Sequence, residues 1–147
     1  DYPHRPLLLG GALLTDSSAN HLCQGDGNTD SLVMQTDSEA LLESGIRLGV
    51  GTFRLMKENL NWTNESIDIV LTHQVGTAHE ALSLKSFELE NTKTFKTYPI
   101  LGNTGSSALP ITMMMAWAKG IIKAGENVAL LGIGSGLSSI MLGVKWS

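Results

Sequence analysis

Residues 66–73 read Ser-Ile-Asp-Ile-Val-Leu-Thr-His, and this short apolar run is the strongest indication of architecture in the chain. β-Branched and apolar residues in a run of this length are typical of a buried strand. We expect the strand to end at Thr72, which places His73 at its carboxyl end. In α/β sheets the carboxyl ends of strands are where ligand sites gather, so His73 becomes a candidate functional residue.

A long helix is predicted upstream of this run. The spacing of a capping box at residues 36–39 marks its start, and spaced leucines carry it to Leu60. Gly45, Gly49 and Gly51 lie inside it, although glycine is a poor helix former. Their presence predicts either that another backbone packs closely against the helix or that the helix breaks, and we favour a buried central helix.

Strand-like and helix-like segments alternate along the rest of the chain. Residues 16–37 are polar and without period, which predicts a long loop with one short turn, and residues 88–98 have no strong period. The alternation predicts an α/β fold in a single domain, residues 1–147. The other predicted elements are strands at residues 6–15, 127–131 and 138–146, and helices at residues 77–87 and 108–119.

Composition excludes several classes of function. The 147 residues are 42% hydrophobic, which suffices for one core, and the net charge of -4 gives no general attraction to nucleic acid or anionic membranes. No apolar run approaches the roughly 20 residues of a membrane span. Cys23 is the only cysteine, so neither an intrachain disulfide nor a thiolate zinc site is expected, and a reducing, cytoplasmic setting fits best. We predict no metal site.

A second polar turn complements His73. Residues 102–107 read Gly-Asn-Thr-Gly-Ser-Ser and precede a predicted helix that the serines can cap. A lone histidine after a strand is more often a hydrogen-bonded structural residue. Two such loops could nevertheless converge, and His73 with Asn103 would then offer two preorganised N–H donors to an enolate or tetrahedral oxyanion.

The third motif is the glycine-rich stretch Gly132-Ile133-Gly134-Ser135-Gly136. A dinucleotide-binding turn is disfavoured because the residues that follow read as a strand rather than a helix. Ser135 does not match a nucleophile elbow, which requires Gly-x-Ser-x-Gly. Two interpretations stay open: the glycines allow backbone to approach a substrate, which we favour, or they form a simple β-hairpin turn.

Other reactive or apolar side chains are assigned no catalytic role. Cys23 lies in a polar segment without an evident activating base, so a bystander thiol is the better interpretation. His79, Trp117 and the run of methionines at residues 113–115 could line an acyl tunnel. Such a stripe on a helix is more often core, and packing is the default prediction.

Taken together, three motifs resemble ketoacyl synthase III: His73-Gln74-Val75, then residues 102–110 (Gly-Asn-Thr-Gly-Ser-Ser-Ala-Leu-Pro), then residues 130–136 (Leu-Leu-Gly-Ile-Gly-Ser-Gly). The resemblance covers nearly the whole chain. It implies one half of a five-layer αβαβα thiolase fold, whose other, N-terminal half supplies the nucleophilic cysteine. No nucleophile is then expected in this chain, which looks cut from something longer.

The same resemblance implies roles for residues. His73 and Asn103 would donate to the thioester oxygen of a second acyl substrate as its carbanion forms in a Claisen condensation. Backbone around Ser135, between Gly134 and Gly136, would help complete the oxyanion site for the acyl-cysteine. Coenzyme A or acyl carrier protein thioesters would be the substrates, no further cofactor is expected, and the full protein would be a homodimer.

Details point to a subgroup and mark departures. The segment Leu22-Cys23-Gln24-Gly25, and His79 beside His73, are similar to the subgroup that joins two acyl chains head to head in bacterial olefin synthesis. Ala78 stands where fatty-acid-initiating members carry an arginine for carrier-protein docking, which makes coenzyme A thioesters a fair alternative. Plant-type polyketide synthases fit less well because their usual proline is missing from the final glycine loop. A non-catalytic thiolase-fold protein that binds acyl thioesters or supports an assembly is the alternative function.

Overall fold

In the computed structural model, which describes residues 6–25 and 33–147, a five-stranded sheet separates two helical layers. Its strands run in the order β1-β7-β6-β4-β5, with β4, β5 and β6 parallel and β7 antiparallel to both of its neighbours. The strands are β1 Leu7–Thr15, β2 Cys23–Gly25, β3 Met34–Thr36, β4 Ile69–Thr72, β5 Lys93–Thr94, β6 Asn127–Gly134 and β7 Ser138–Lys145. The helices are α1 Ser38–Leu60, α2 Thr77–Ser86, α3 Tyr98–Leu101 and α4 Ala108–Ala118.

Strand β4 lies in the middle of the core because its residues are buried on both faces. Val70 joins a cluster with side chains of α1 and α2, whereas Ile69 and Leu71 join a cluster that includes Ala116 of α4. Successive side chains of this strand point to opposite faces of the sheet and pack against a helical layer on each side. This confirms the predicted α/β architecture, and the chain forms three layers, α, β and α.

Helix α1 is continuous, but it is not the buried central helix that we expected. Gly45 and Gly49 are buried, and a Cβ atom on Gly49 would lie 3.2 Å from Cζ of Phe87. The glycines thus make room for side chains, not for another backbone. The opposite side of the helix, with Glu43 and Arg47, is exposed, so α1 is an amphipathic outer helix.

The start of α1 also differs by one residue from the predicted capping box. Asp37 is the N-cap, and its carboxylate accepts a hydrogen bond from the N–H of Ala40 at 3.0 Å. Thr36, the expected cap, ends β3 instead. Aspartate and threonine are both favoured N-caps, so the local pattern could not separate two adjacent candidates.

Two segments without a clear pattern contain short elements. The predicted long loop at residues 16–37 holds a 3-10 turn, Ser17–Leu22, and the antiparallel pair β2 and β3, while its residues 26–32 lie outside the described part. Residues 88–101 contain β5 and α3. Strands β2 and β3 are only three residues long, and two-residue β5 pairs with β4, which lies far from it in the sequence. Such short strands leave no clear local pattern.

Helix α4 covers only part of its face of the sheet. A Cβ atom on Gly132 would meet Cδ2 of Leu109 on α4 and Cγ2 of its cross-strand neighbour Ile140, so Ile140 lies on the α4 face. Ile140 and its partner on β1, Leu13, are nevertheless 44% and 60% exposed. An uncovered apolar surface therefore continues from α4 across β7 and β1.

The packing default for the methionines and Trp117 holds only in part. Met113 packs against the core cluster, but Met114 and Trp117 on the same helix are about half exposed. The Trp117 ring lies 6.0 Å from that of Trp146, just after β7. Among the described residues, no helix is long and apolar enough to cross a bilayer.

Candidate functional site

His73 lies where the sequence predicted it, at the carboxyl end of β4. Its backbone N–H donates to the carbonyl oxygen of Leu131 on β6 at 2.9 Å, which extends the pairing of the two strands by one bond. The side chain is half-buried, at the edge of the sheet where β4 stops and β6 continues. His73 is therefore held by its backbone while its ring stays accessible.

The glycine-rich stretch forms a β-hairpin turn at the same edge. Gly134 pairs with Ser138, and the three residues between them connect β6 to β7. Gly134 is three residues beyond Leu131, so the turn extends roughly 10 Å past the end of β4. The hairpin interpretation, which we ranked second, is thus the observed geometry, and a dinucleotide-binding strand–turn–helix is ruled out.

This turn is anchored from outside the hairpin. Asp16 and Leu137 exchange two backbone hydrogen bonds, each of 2.9 Å, where β1 ends. The Gly136–Leu137 peptide is cis, and Gly136 has a φ of 126°, a region that favours glycine. A Cβ atom on Gly134 would meet nothing within 4 Å, so backbone here is approachable. Access for a substrate is compatible with the hairpin.

Asn103 is exposed and lies in the turn between α3 and α4. Its side-chain Oδ1 accepts a hydrogen bond from the N–H of Gly105 at 3.0 Å, so the turn itself holds the amide's oxygen. This leaves Nδ2 as the donor end of the amide. Gly102 and Gly105, with φ values of 65° and 61°, supply the left-handed backbone that the turn needs.

The expected serine cap of α4 is absent from this turn. Ser107 occupies the N-cap position, but its side chain makes no capping hydrogen bond. Its φ and ψ of -81° and -13° are helical, whereas a capping side chain normally needs extended backbone. A 3-10 turn, Gly105–Ser107, leads directly into the helix instead.

Gln74, which the sequence analysis quoted without assigning it a role, connects the two loops. It is fully buried, and its Oε1 accepts hydrogen bonds from the N–H groups of Thr97 and Tyr98 at 2.8 and 3.2 Å. Its position directly after a strand-end histidine was the available signal. The contact, which spans 23 residues, was not visible in the sequence.

A buried carboxylate forms a second connection between the loops. Oε2 of Glu80, in the first turn of α2, accepts hydrogen bonds from Nζ of Lys96 at 2.6 Å and from the Tyr98 hydroxyl at 3.1 Å. Glu80 is 4% exposed. The segment that leads to Asn103 is thus tied to the segment that follows His73 at two points.

The electrostatic surroundings favour a neutral His73. Partial burial of the ring, and then the charge of nearby His79, lower the pKa of His73 from its usual value of 6.5. The imidazole is therefore uncharged near pH 7 and offers one ring N–H as a donor. A neutral imidazole N–H is a fixed dipole of the kind that stabilises a developing oxyanion at little cost in reorganisation.

The lowered pKa predicts a pH dependence of stability. Below about pH 6.5 the unfolded chain protonates His73 more readily than the folded chain does, so the free energy of unfolding should fall as the pH drops. His73→Gln removes this titration. Urea unfolding of the full-length protein between pH 7.5 and 5.5 should show a smaller acid loss in the variant, and equal losses would contradict the predicted shift.

Cys23 is partnered by hydroxyl groups at this edge. Its Sγ lies 3.6 Å from Oγ1 of Thr36 and 3.8 Å from Oγ of Ser135. Cys23 lies in β2, not in the loop that we expected. The two hydroxyl groups are too weakly basic to activate the thiol as a nucleophile. Within residues 6–25 and 33–147, no group of three or more His, Cys, Asp or Glu side chains could hold a metal ion.

Comparison with known proteins gives concordant matches. Residues 57–146 match the family described as 3-oxoacyl-[acyl-carrier-protein] synthase III C terminal. The chain is 38% identical, over 95% of its length, to an acyl-CoA:acyl-CoA alkyltransferase of Shewanella oneidensis. It is 36% identical, over 63% of its length, to a β-ketoacyl-[acyl-carrier-protein] synthase III of Clostridioides difficile.

The fold matches a solved structure over almost the whole chain. A cysteine-to-serine variant of Xanthomonas campestris OleA, with bound lauric acid and lauroyl-CoA, aligns with 98% of this chain at a TM-score of 0.88 and 38% identity. The chain spans about two fifths of the length of the alkyltransferase, 41%, and of the OleA chain, 42%. The fold is thiolase-like, and its three layers correspond to one half of a five-layer arrangement. The chain therefore belongs to the 3-oxoacyl-[acyl-carrier-protein] synthase III C-terminal family.

Proposed function

We propose that this chain, joined to an N-terminal half, forms an acyltransferase that condenses two acyl thioesters in a Claisen reaction. The observation that supports the proposal is that His73 and the glycine turn lie at one edge of the sheet, while Gln74 and Glu80 tie the segment that leads to Asn103 to the segment that follows His73. The matches to condensing enzymes add the reaction class. This segment contributes the donors that stabilise negative charge, and the nucleophilic cysteine belongs to the other half.

The division of labour follows from the charges that the reaction creates. The cysteine of the other half displaces the first thiol and holds the first acyl group as a thioester. A general base, which we place with the cysteine in the other half, takes the proton from Cα of the second thioester. Negative charge then spreads to the carbonyl oxygen, and the ring N–H of His73 and the amide of Asn103 donate to that oxygen. The carbanion then attacks the acyl-cysteine and expels the thiolate. Donors matched to the enolate lower the barrier because they bind it more strongly than the ground state.

The glycine turn serves the other oxyanion in this scheme. When the carbanion attacks the acyl-cysteine, charge develops on the acyl oxygen, and the backbone between Gly134 and Gly136 donates to it. The open space beside Gly134 supports this role, since a side chain there would separate backbone from substrate. Because the donors in this scheme are backbone N–H groups, the Ser135 side chain itself does not need to contact the substrate.

The uncovered apolar surface supports a partner half. Met114 and Trp117 on α4 are exposed, as are Leu13 and Ile140 on the same face of the sheet. A helix that is apolar on all sides is normally buried on all sides. The N-terminal half would cover this surface and place α4 in the middle of five layers.

The proposal also includes a homodimer of the full protein, a cytoplasmic location and a role in fatty acid or lipid metabolism, which rest on the resemblance.

Coenzyme A thioesters are the favoured substrates. The name of the alkyltransferase relative gives acyl-CoA as both of its substrates, and the OleA structure holds lauroyl-CoA. Ala78, exposed at the start of α2, offers no positive charge to an acidic carrier protein. Head-to-head joining of two long acyl groups is the specific reaction that we propose.

A product assay tests the proposal. The full-length protein, incubated with lauroyl-CoA, should release CoA and form a carbon–carbon bonded β-keto product that mass spectrometry detects. Residues 1–147 alone should form none, because they lack the nucleophile's half. Release of CoA with lauric acid as the only product would refute condensation, and saturable binding without turnover would establish the alternative, a non-catalytic acyl-thioester-binding protein.

A further inference from the structure

Gln74 uses both ends of its amide inside the core. Its Nε2 donates to the carbonyl oxygen of Thr72 at 2.9 Å, and its Oε1 accepts from the N–H groups of Thr97 and Tyr98. The side chain is 0% exposed. A buried amide in which both ends are satisfied is a rigid connection, because breaking any of these bonds leaves a polar group unpaired and out of contact with water.

The carbonyl end acts as a helix cap supplied by another segment. The first N–H groups of any helix lack partners within the helix, and the N-cap side chain usually accepts one of them. Thr97, the N-cap of α3, makes no such bond, and its hydroxyl instead lies 2.6 Å from that of Thr112 on α4. Gln74 takes over the cap from 23 residues away.

Helix α3 leads directly to Asn103. Helix α3 is a single turn, and the N–H of Gly102 closes it with a 3.0 Å bond to the carbonyl oxygen of Tyr98. Asn103 follows at once. At the other end, the backbone of Gln74 continues directly from His73. One side chain thus joins the backbone that carries His73 to the start of the helix that leads to Asn103.

We infer that Gln74 is a positioning residue that sets the geometry between His73 and Asn103, acting through the cap of α3. The inference deepens the proposed condensation and rests on it. The side chain at this position must donate at one end and accept at the other, and an amide does both whatever the pH. Methionine has a similar length, but it cannot donate and its thioether is only a weak acceptor, so two backbone N–H groups would lose a good acceptor.

A double-mutant cycle in the full-length protein tests the path of this effect. Gln74→Met should lower kcat for condensation by about 100-fold with little change in KM, since misplacement by about 1 Å can cost that much. If Gln74 acts through Asn103, adding Gln74→Met to Asn103→Ala should lower kcat by less than threefold further. Multiplicative losses would overturn the inference. Gln24→Met, at an exposed position of β2, is the matched control and should retain wild-type kcat.

Gln74→Glu provides a rescue that a purely structural role would not show. A neutral carboxylic acid can donate to the Thr72 carbonyl and still accept from Thr97 and Tyr98, whereas a carboxylate cannot donate. Burial favours the neutral acid. The ratio of variant to wild-type kcat should therefore rise at least tenfold as the pH falls through the carboxyl group's titration. A ratio independent of pH would overturn the inference.

Amide hydrogen exchange separates failure of this inference from failure of the proposed function. Gln74→Met should accelerate exchange at Thr97 and Tyr98 and in the turn around Asn103 by at least tenfold, whereas exchange in β6 should stay unchanged. Unchanged exchange at Thr97 and Tyr98 would refute the cap even in an active enzyme. If Gln74→Met accelerates exchange but the wild-type protein condenses nothing, the cap is supported and the proposed reaction is rejected. If Gln74→Met does not fold, Gln74→Glu compared at low and high pH supplies the same readout.

Discussion

His73→Ala in the full-length protein should lower kcat for condensation by about 100-fold to 1000-fold, the usual cost of removing one oxyanion donor. The imidazole is neutral near pH 7 because burial and His79 lower its pKa, so the wild-type ring contributes an N–H dipole rather than a full charge. KM should change little, since the proposed hydrogen bond from His73 to the thioester oxygen strengthens mainly when the enolate forms. Steady-state CoA release, with the β-keto product quantified in parallel, measures both constants.

The matched control for this variant is His21→Ala. His21 is exposed, and its ring Nδ1 lies 2.9 Å from the carbonyl oxygen of Ser18, so the same substitution there removes a histidine without touching the sheet edge. It should keep kcat within about twofold. A full loss in the control, or wild-type kcat in His73→Ala, would remove His73 from the mechanism.

Asn103→Ala should also lower kcat by about 100-fold or more, because it removes a proposed oxyanion donor whose orientation the turn fixes. The Gly105 N–H holds the amide oxygen, so the amino group is the end that can donate to substrate. Alanine removes that donor. Asn103→Asp keeps the shape and the bond to Gly105 but places a negative charge where the proposed mechanism forms an oxyanion, so its kcat should be no higher than that of the alanine variant. Single-turnover kinetics from a preformed acyl-enzyme would show the loss in the condensation step.

Asn91→Ala, at an exposed position outside the site, serves as the control and should leave kcat unchanged. The prediction is contradicted if Asn103→Ala raises KM while kcat stays at the wild-type value. Such a result would make Asn103 a binding residue that contacts substrate equally in the ground and transition states.

Local patterns predicted the main elements well. The apolar run before His73 forms β4, the glycine turn leads into the last strand, and α2 and α4 lie within a residue or two of their predicted ends. These elements depend on residues that are near in sequence, through side-chain periodicity and turn residues. The glycines of α1 were harder to interpret, because their effect depends on Phe87 and Ile133, which no local pattern places beside them.

For the candidate site too, some features follow from local sequence and others from tertiary contacts. The sequence by itself determined the chemical groups, namely a histidine at a strand end, an asparagine in a glycine-bounded turn, and a second glycine turn, since these follow from residue type and local spacing. Only the tertiary structure decided that the glycine turn is a hairpin extending past β4, and that Gln74 caps α3 across 23 residues. The physical reason is that contacts between segments distant in sequence depend on how the layers pack, and burial selects the partners of each polar group only after the sheet has formed.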